Sequence, residues 1–249
     1  WGTGSSPAAR RKVMRPRWGA PSVQPTTAAN PISPAVAIRA RVLPTWLKWA
    51  VDTALFQAIN GWPDGIAPFF VFLSDATKLW AGRIPLLLLA GYLIYRKDTR
   101  LPTICALVAV FLANELTDLL KDMYPMARPS GPVRQAMDNG VAIEDARRLA
   151  PNVRIRVTPL GSSGTASAHS ANMMAVAAVF GLFQSRWQWL WLPVAVLTGI
   201  SRVYVGVHYP SQVMLGWACG IAMGIAVFYA ATPWRRKATS PENARPVGE

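Results

Sequence analysis

The sequence predicts an all-helical membrane protein, a bundle of five or six transmembrane helices with an additional N-terminal helix lying on the membrane surface. Apolar residues make up 52% of its 249 residues and charged residues only 15%, whereas the wetted surface of a soluble domain requires more charge. Five apolar segments approach the length of about 20 residues that crosses a bilayer. Eleven tryptophans are spread along the chain, and several stand near the ends of those segments, where indole rings favour the membrane interface.

Residues 1–45 are predicted to form a disordered, basic arm. They are rich in alanine, proline, serine and threonine, and they lack the unbroken apolar core of a secretory signal peptide. Much of the net charge of +14 lies here, on Arg10, Arg11, Lys12, Arg15, Arg17, Arg39 and Arg41. Basic ends beside apolar segments are typical of contact with anionic membrane lipids. Because the chain has no helix-turn-helix, zinc-finger or ribonucleoprotein motif, no nucleic acid is expected as a partner.

Residues 46–232 are predicted to form one membrane-embedded domain. It begins with an interfacial helix at Trp46–Ile59, which the Asn60–Gly61 pair terminates. The segment Phe69–Leu73 is also apolar, but it is not predicted to be a separate span because charged residues soon follow it. The five spans are placed at Thr77–Tyr95, Leu101–Leu120, Ala166–Phe183, Trp187–Tyr204 and Val213–Ala231.

Basic residues near the ends of the spans set the predicted orientation. The turns at 96–100 and 184–186 and the tail at 233–249 carry arginine or lysine, and five spans place all three on one side. The positive-inside rule makes that side cytoplasmic. The long loop from Lys121 to Thr165 and the turn around His208 then lie together on the opposite, outer face. Five spans also place the basic arm on the outer face. The positive-inside rule opposes this placement, but long polar arms obey that rule weakly.

Both histidines of the chain fall on this outer face, at the ends of predicted helices. His169 opens the third span, and His208 follows the fourth. The same face carries Lys121, Arg128 and Arg202, at the outer ends of the second and fourth spans. Charged groups at membrane depth are costly, so their convergence indicates a functional site.

These residue types suit a bound phosphoryl group. Arginine offers a planar fork of donors to phosphate oxygens, and lysine adds a compact charge. Ser167 precedes the third span, so its hydroxyl and the backbone N–H groups of the first helical turn, which begins at Ala168, can also face an anion. Of two histidines beside phosphorus, one can attack in line while the other protonates the departing oxygen. The pattern predicts phosphoryl transfer stabilised by cations and N–H groups, without a metal or another cofactor.

Three motifs at these positions resemble those of the type-2 phosphatidic acid phosphatase, or lipid phosphate phosphatase, superfamily. The family pattern is K-x6-R-P, then P-S-G-H, then S-R-x5-H-x3-D. This sequence has KDMYPMARP from Lys121, ASAH from Ala166 and SRVYVGVHYPSQ from Ser201. The resemblance extends from about Val51 to Ala231 in the order and spacing of the motifs. The segments ALFQAIN and HYPSQV are similar to those of bacterial undecaprenyl-diphosphate phosphatases.

The resemblance implies a multi-spanning enzyme of the bacterial cytoplasmic membrane, with its active site on the periplasmic or extracellular face. Its substrate would be a lipid phosphate or diphosphate, such as undecaprenyl diphosphate. The resemblance implies that His208 forms a phosphohistidine intermediate and that His169 protonates the leaving group. The phosphoryl oxygens would be held by Lys121, Arg128, Ser167, Ala168 and Arg202. Water would then hydrolyse the phosphoenzyme.

The sequence departs from the family pattern at Ala166, Ala168 and Gln212. The last departure concerns catalysis, because the family has an aspartate there that accepts the N–H of the nucleophilic imidazole and stabilises the imidazolium. Glutamine can accept the hydrogen bond but brings no charge. Three alternatives stay open: a substitute carboxylate, a pseudoenzyme that binds lipid phosphate headgroups without catalysis, and a phosphotransferase that passes the group to another lipid. The candidate substitutes are Glu115, Asp118 and Asp122.

Two further sets of residues are given structural interpretations. Cys105 and Cys219 lie in separate apolar runs without CxxC spacing, so they are predicted to be buried hydrophobes rather than a disulfide or a zinc site. The arginines of the long loop are interpreted as a solvated face, with attraction of anionic headgroups as the alternative. They are Arg147, Arg148, Arg154 and Arg156.

Overall fold

The computed structural model describes residues 45–76, 80–159 and 163–234, and within these ranges it excludes the side chains of residues 45–49 and 81. All regular structure in the described ranges is helical, with no β-strand, as the sequence predicts. The predicted basic arm, apart from Thr45, and most of the predicted basic tail lie outside these ranges.

Nine α-helices lie within the described residues. Their bounds are α1 Thr45–Asn60, α2 Ala67–Asp75, α3 Trp80–Tyr95, α4 Lys97–Met123, α5 Gly131–Asp138, α6 Ile143–Ala146, α7 Ala168–Phe183, α8 Gln188–Tyr204 and α9 Pro210–Ala230. The predicted N-terminal helix is confirmed as α1, which ends at the expected Asn60. The five apolar segments coincide within a few residues with α3, α4, α7, α8 and α9.

The candidate membrane spans differ in length, and some are long enough to cross a bilayer while others are shorter. In the described part of the chain, α4 and α9 are long and apolar enough to cross a bilayer, whereas α7 and the Gly82–Tyr95 part of α3 are apolar but shorter. α3 also exposes Leu87 and Leu88, as a lipid-facing helix would. The nine residues of α2 extend only about 13 Å, too short to cross. The number of spans and the interfacial position of α1 stay predictions.

α7 lies at the centre of the bundle and packs against α4, α8 and α9. Its close approach to α9 depends on glycines spaced four residues apart. A Cβ added at Gly216 would lie 2.5 Å from the carbonyl oxygen of Ser167, and one added at Gly220 would lie 2.2 Å from that of Ala171. Small residues let the two backbones meet. The N-terminal turns of α7 and α9 are therefore held side by side.

The long loop between α4 and α7 folds into a small cap with an apolar core of its own. α5, α6 and a 3-10 turn at 147–149 surround this core. Its buried residues are Val133, Ala136, Ala146, Ala150 and Ile155. The sequence predicts a loop here instead, because these helices are too short to give a periodic apolar pattern.

Arg156 fastens this cap to the segment after α1 and to the end of α8. Its guanidinium donates to the backbone oxygens of Asn60 at 3.0 Å, Trp62 at 3.2 Å and Tyr204 at 2.7 Å. It also pairs with Asp64 at 2.7 Å, and its side chain is only 9% exposed. The interpretation of the loop arginines as a solvated face is therefore wrong for this residue. The exposed arginines are Arg147, Arg148 and Arg154.

We expect Arg156→Ala to lower the free energy of unfolding by about 2–4 kcal/mol, because three backbone carbonyls lose a charged donor. Thermal unfolding of the purified protein in detergent measures this change. The matched control is Arg148→Ala, whose side chain is 83% exposed and whose loss should change stability by less than about 0.5 kcal/mol. Equal effects of the two substitutions would mean that Arg156 does not fasten the cap to the segment after α1 and to α8.

Candidate active site

Two backbone hydrogen bonds bring the three sequence motifs together. The Gly164 N–H donates to the Met126 carbonyl oxygen at 2.8 Å, so the end of the first motif lies against the segment that enters α7. The Ser167 N–H donates to the Gln212 carbonyl oxygen at 3.0 Å. The first turn of α7 therefore lies against the first turn of α9, where the third motif ends.

Arg128 enters this site from the first motif. Its Nε–H donates to the Ser163 carbonyl oxygen at 2.8 Å. Burial lowers the pKa of its guanidinium, since desolvation disfavours the charged form. A Cβ added at Gly164 would lie 2.7 Å from the Arg128 side chain and 2.8 Å from that of Gln212. Glycine at this position therefore allows both side chains to reach the same place.

Gln212 contacts His208 directly. Its Oε1 lies 3.1 Å from Nδ1 of His208 and also accepts the backbone N–H of Tyr209 at 3.2 Å. Its Nε2 donates to the Ala127 carbonyl oxygen at 2.8 Å. Because these two backbone groups determine the orientation of the amide, its carbonyl oxygen must face the imidazole. Nδ1 of His208 then carries the proton, and Nε2 keeps its lone pair.

The surroundings of His208 favour the neutral imidazole. The side chain is buried, and burial lowers its pKa well below the ordinary value of 6.5. The charges of Arg128 and Arg202 and a smaller effect of His169 lower the pKa further, while the hydrogen bond to Gln212 opposes them. A neutral imidazole at physiological pH is a competent nucleophile.

We expect His208 to stay neutral at pH 6.5, and Arg128→Gln to raise its pKa by removing a nearby positive charge. NMR titration of histidine-labelled protein measures the pKa of His208, and the spectrum is simple because the chain has two histidines. The free energy of unfolding should also fall as the pH drops below about 6.5, since the unfolded chain then binds a proton that the folded His208 does not. A folded-state pKa above 6.5 for His208 would contradict this assignment.

The start of α7 places the second motif beside the other two. Ser167 caps the helix, and its buried hydroxyl accepts hydrogen bonds from Oγ of Ser170 at 2.8 Å and from its backbone N–H at 3.4 Å. Ala168 and His169 form the first helical turn, where backbone N–H groups have no acceptor within the helix. His169 is half-buried and close enough to His208 to affect its pKa.

Arg202 is buried, with 5% of its surface exposed, and its carbonyl oxygen accepts the N–H of His208 at 3.2 Å. Its Nη1 donates to the carbonyl oxygen of Ser74 at 3.1 Å and to the hydroxyl of the same residue. The carboxylate of Asp75 lies 3.8 Å from Nη1. Nε of Arg202 has no hydrogen-bond partner among the described residues. The sequence does not indicate that α2 belongs to the site, because Ser74 and Asp75 follow an apolar run and are part of no motif.

Lys121 forms an ion pair with Asp118 at 2.6 Å. The three carboxylates considered as substitutes for the family aspartate are all exposed on or near the end of α4; they are Glu115, Asp118 and Asp122. Since Gln212 itself contacts the imidazole, the structure does not support a substitute carboxylate in its place.

Asp52 of α1 supports the first turn of α9, a contact that the sequence analysis missed. Its carboxylate accepts the backbone N–H of Ser211 at 2.9 Å and the hydroxyl of Ser211 at 2.6 Å. The ring of Phe56, one helical turn later, lies 5.3 Å from that of Tyr209. A carboxylate at a helix N-terminus is stabilising, so α1 holds the turn that contains Gln212.

Comparison with known proteins identifies relatives of this arrangement. The chain is 25% identical over 176 residues to the bacitracin transport permease protein BcrC of Bacillus licheniformis, an alignment that covers 65% of this chain and 78% of that protein. It is 25% identical over 186 residues to the lipid A 4'-phosphatase of Bacteroides thetaiotaomicron, covering 72% of this chain and 76% of the relative.

Two solved structures share the fold, each with a TM-score of 0.52. Aquifex aeolicus LpxE is 24% identical and is matched over 72% of this chain and 95% of its own. The transmembrane PAP2 type phosphatidylglycerolphosphate phosphatase of Bacillus subtilis is 18% identical and is matched over 79% of this chain and 90% of its own. The family model of the PAP2 superfamily matches residues 102–236, which contain all three motifs and more than half of the chain. The chain therefore belongs to the PAP2 superfamily.

Proposed function

We propose that this protein is an integral membrane lipid phosphatase that removes a phosphate from a lipid phosphate or diphosphate through a phosphohistidine on His208. One observation carries the proposal: the amide of Gln212 is oriented so that Nε2 of a buried, neutral imidazole keeps its lone pair. The relatives named as phosphatases of lipid A and of phosphatidylglycerolphosphate support the substrate class. Undecaprenyl diphosphate, suggested by two sequence segments, belongs to the same class.

The proposed phosphate site combines cations with backbone donors. Lys121, Arg128 and Arg202 surround the phosphoryl oxygens, and the backbone N–H of Ala168 lies at the positive end of the α7 dipole. The N–H of Ser167 already donates to the Gln212 carbonyl oxygen, so Ser167 would contribute its hydroxyl. Lys121 reaches the site by exchanging its ion pair with Asp118 for the phosphate. This binding requires no metal ion, because the protein itself supplies the positive charge.

The proposed reaction has two displacements. Nε2 of His208 attacks phosphorus, and the bond between phosphorus and the lipid oxygen breaks as His169 donates a proton to that oxygen. Gln212 accepts the Nδ1 hydrogen bond throughout, which keeps the ring in place. Water then attacks the phosphohistidine, His169 takes its proton, and the P–N bond breaks. Inorganic phosphate leaves, and both histidines return to their starting protonation states.

The proposed setting is the bacterial cytoplasmic membrane. Residues 46–232 would be embedded in it and the active site would face outwards, with the cap above the site. The apolar length of α4 and α9 and the lipid-facing leucines of α3 support the embedding. The basic turns at 96–100 and 184–186 support the orientation through the positive-inside rule.

The test uses the purified full chain in detergent with EDTA, and measures inorganic phosphate released from undecaprenyl diphosphate, phosphatidylglycerol phosphate, phosphatidate and lipid A. We expect release from at least one lipid, and an acid-labile, alkali-stable phosphoenzyme in quenched samples. Headgroup binding without release would favour the pseudoenzyme. Transfer to a second lipid without free phosphate would favour the phosphotransferase. Activity that EDTA abolishes and a divalent cation restores would contradict metal independence.

A further inference from the structure

The end of α2 presents two different groups to Arg202, and the proposed function assigns a task to neither. Ser74 is fully buried and accepts from Nη1 of Arg202 through both its carbonyl oxygen and its hydroxyl. Asp75 lies 3.8 Å from the same nitrogen, and its side chain is 22% exposed while that of Arg202 is 6% exposed. The hydroxyl of Ser74 also donates to Asp75 at 3.4 Å.

Ser74 and Asp75 act on Arg202 in different ways because they lie at different distances from its Nη1. The Ser74 oxygens are at hydrogen-bonding distance, so they determine where the guanidinium lies. The Asp75 carboxylate is beyond that distance, so it acts mainly through its charge, which is weakly screened because both groups are largely buried. Nε of Arg202 has no partner among the described residues, which leaves at least one donor for a phosphate oxygen.

The negative charge of Asp75 opposes the positive charge that Arg202 contributes to the site. Arg128 and Arg202 both act electrostatically on His208 and would retain a phosphate dianion tightly after the phosphoenzyme is hydrolysed. Resting on the proposed function, we propose that the Asp75 carboxylate weakens the binding of phosphate to Arg202 and so promotes the release of inorganic phosphate. Ser74 has the opposite effect, because it holds Arg202 in the binding position.

Isothermal titration of inorganic phosphate into the purified full chain in detergent tests this proposal without requiring turnover. Asp75→Asn should tighten phosphate binding by about three- to tenfold, as expected for removing one nearby negative charge. Ser74→Ala should weaken it. Asp75→Glu, which keeps the charge, should bind phosphate as the unsubstituted protein does. A purely structural role for Asp75 predicts weaker binding in Asp75→Asn, the opposite sign.

The matched control is Asp98→Asn, which removes a carboxylate paired with Arg96 at 3.1 Å near the other end of α4 and should leave phosphate binding unchanged. Asp75→Ser is a second neutral variant, and thermal unfolding curves identify which variants are folded. Phosphate binding that is unchanged or weaker in the folded neutral variants would overturn the role of Asp75 while leaving the proposed function intact. Absence of phosphate binding by the unsubstituted protein would overturn the phosphate site itself.

Discussion

Replacing His208 by alanine is expected to lower phosphate release from a lipid phosphate by at least about 10⁴-fold, because the phosphoryl group loses its covalent acceptor. The side chain is 3% exposed, its Nδ1 lies 3.1 Å from Oε1 of Gln212, and the charges of Arg128 and Arg202 act on it. The measurement is the initial rate of phosphate release in detergent, together with the yield of phosphoenzyme after alkaline quenching. Both should disappear.

The structure provides a control for misfolding in that experiment. Arg148→Ala changes an exposed side chain of the cap and should retain full activity. Thermal unfolding of His208→Ala should still show a cooperative transition, since the substitution removes a side-chain hydrogen bond to Gln212 and leaves the backbone contacts of the turn in place. Retention of more than a few per cent of the phosphoenzyme in a folded His208→Ala protein would exclude this residue as the nucleophile.

Gln212→Asp is expected to raise turnover by about fivefold, with little change in KM. A hydrogen bond to a charged partner contributes about 1 kcal/mol more than a neutral one, and 1.4 kcal/mol corresponds to a factor of ten in rate. The gain is far smaller than the factor of about 10⁴ lost when the triad aspartate of a serine protease becomes an amide, because that change also gives the wrong histidine tautomer. Here Tyr209 and Ala127 already orient the amide correctly.

The rate of phosphate release at saturating substrate measures the effect of this substitution. An aspartate carboxylate has no N–H, so the Ala127 carbonyl loses its donor, and a modest fall in thermal stability should accompany the higher rate. The comparison variant is Gln212→Leu, which keeps the volume but removes the acceptor for Nδ1, and its turnover should fall. Equal rates for all three proteins would mean that residue 212 has no part in catalysis.

The sequence alone predicts most of the helical fold and the family. Apolar runs of nearly bilayer length are a local property of the chain, and they coincide with five helices of the structure. The spacing between Arg202 and His208 is also local, because it places one residue at the end of α8 and the other in the turn that follows. The family prediction rests on such spacings and is confirmed. The roles of the site residues stay predictions.

The tertiary structure decides what each polar group contacts. Arg148 and Arg156 belong to the same basic loop in the sequence, yet one is exposed and the other binds three carbonyl oxygens from two distant segments. Asp75 follows an apolar run that predicts nothing about catalysis, and only the packing of α2 against α8 brings it to Arg202.

The sequence by itself determined where the longer helices form and which family the chain belongs to, because both depend on residue type and spacing along the chain. The tertiary structure decided which lone pair of His208 is available, through backbone groups of Tyr209 and Ala127 that hold Gln212 in one orientation. The tertiary structure also decided which carboxylates lie near the site, such as that of Asp75 beside Arg202. The physical reason is that hydrogen-bond orientation and charge proximity depend on distances between segments far apart in the chain, such as the 85 positions that separate Ala127 from Gln212.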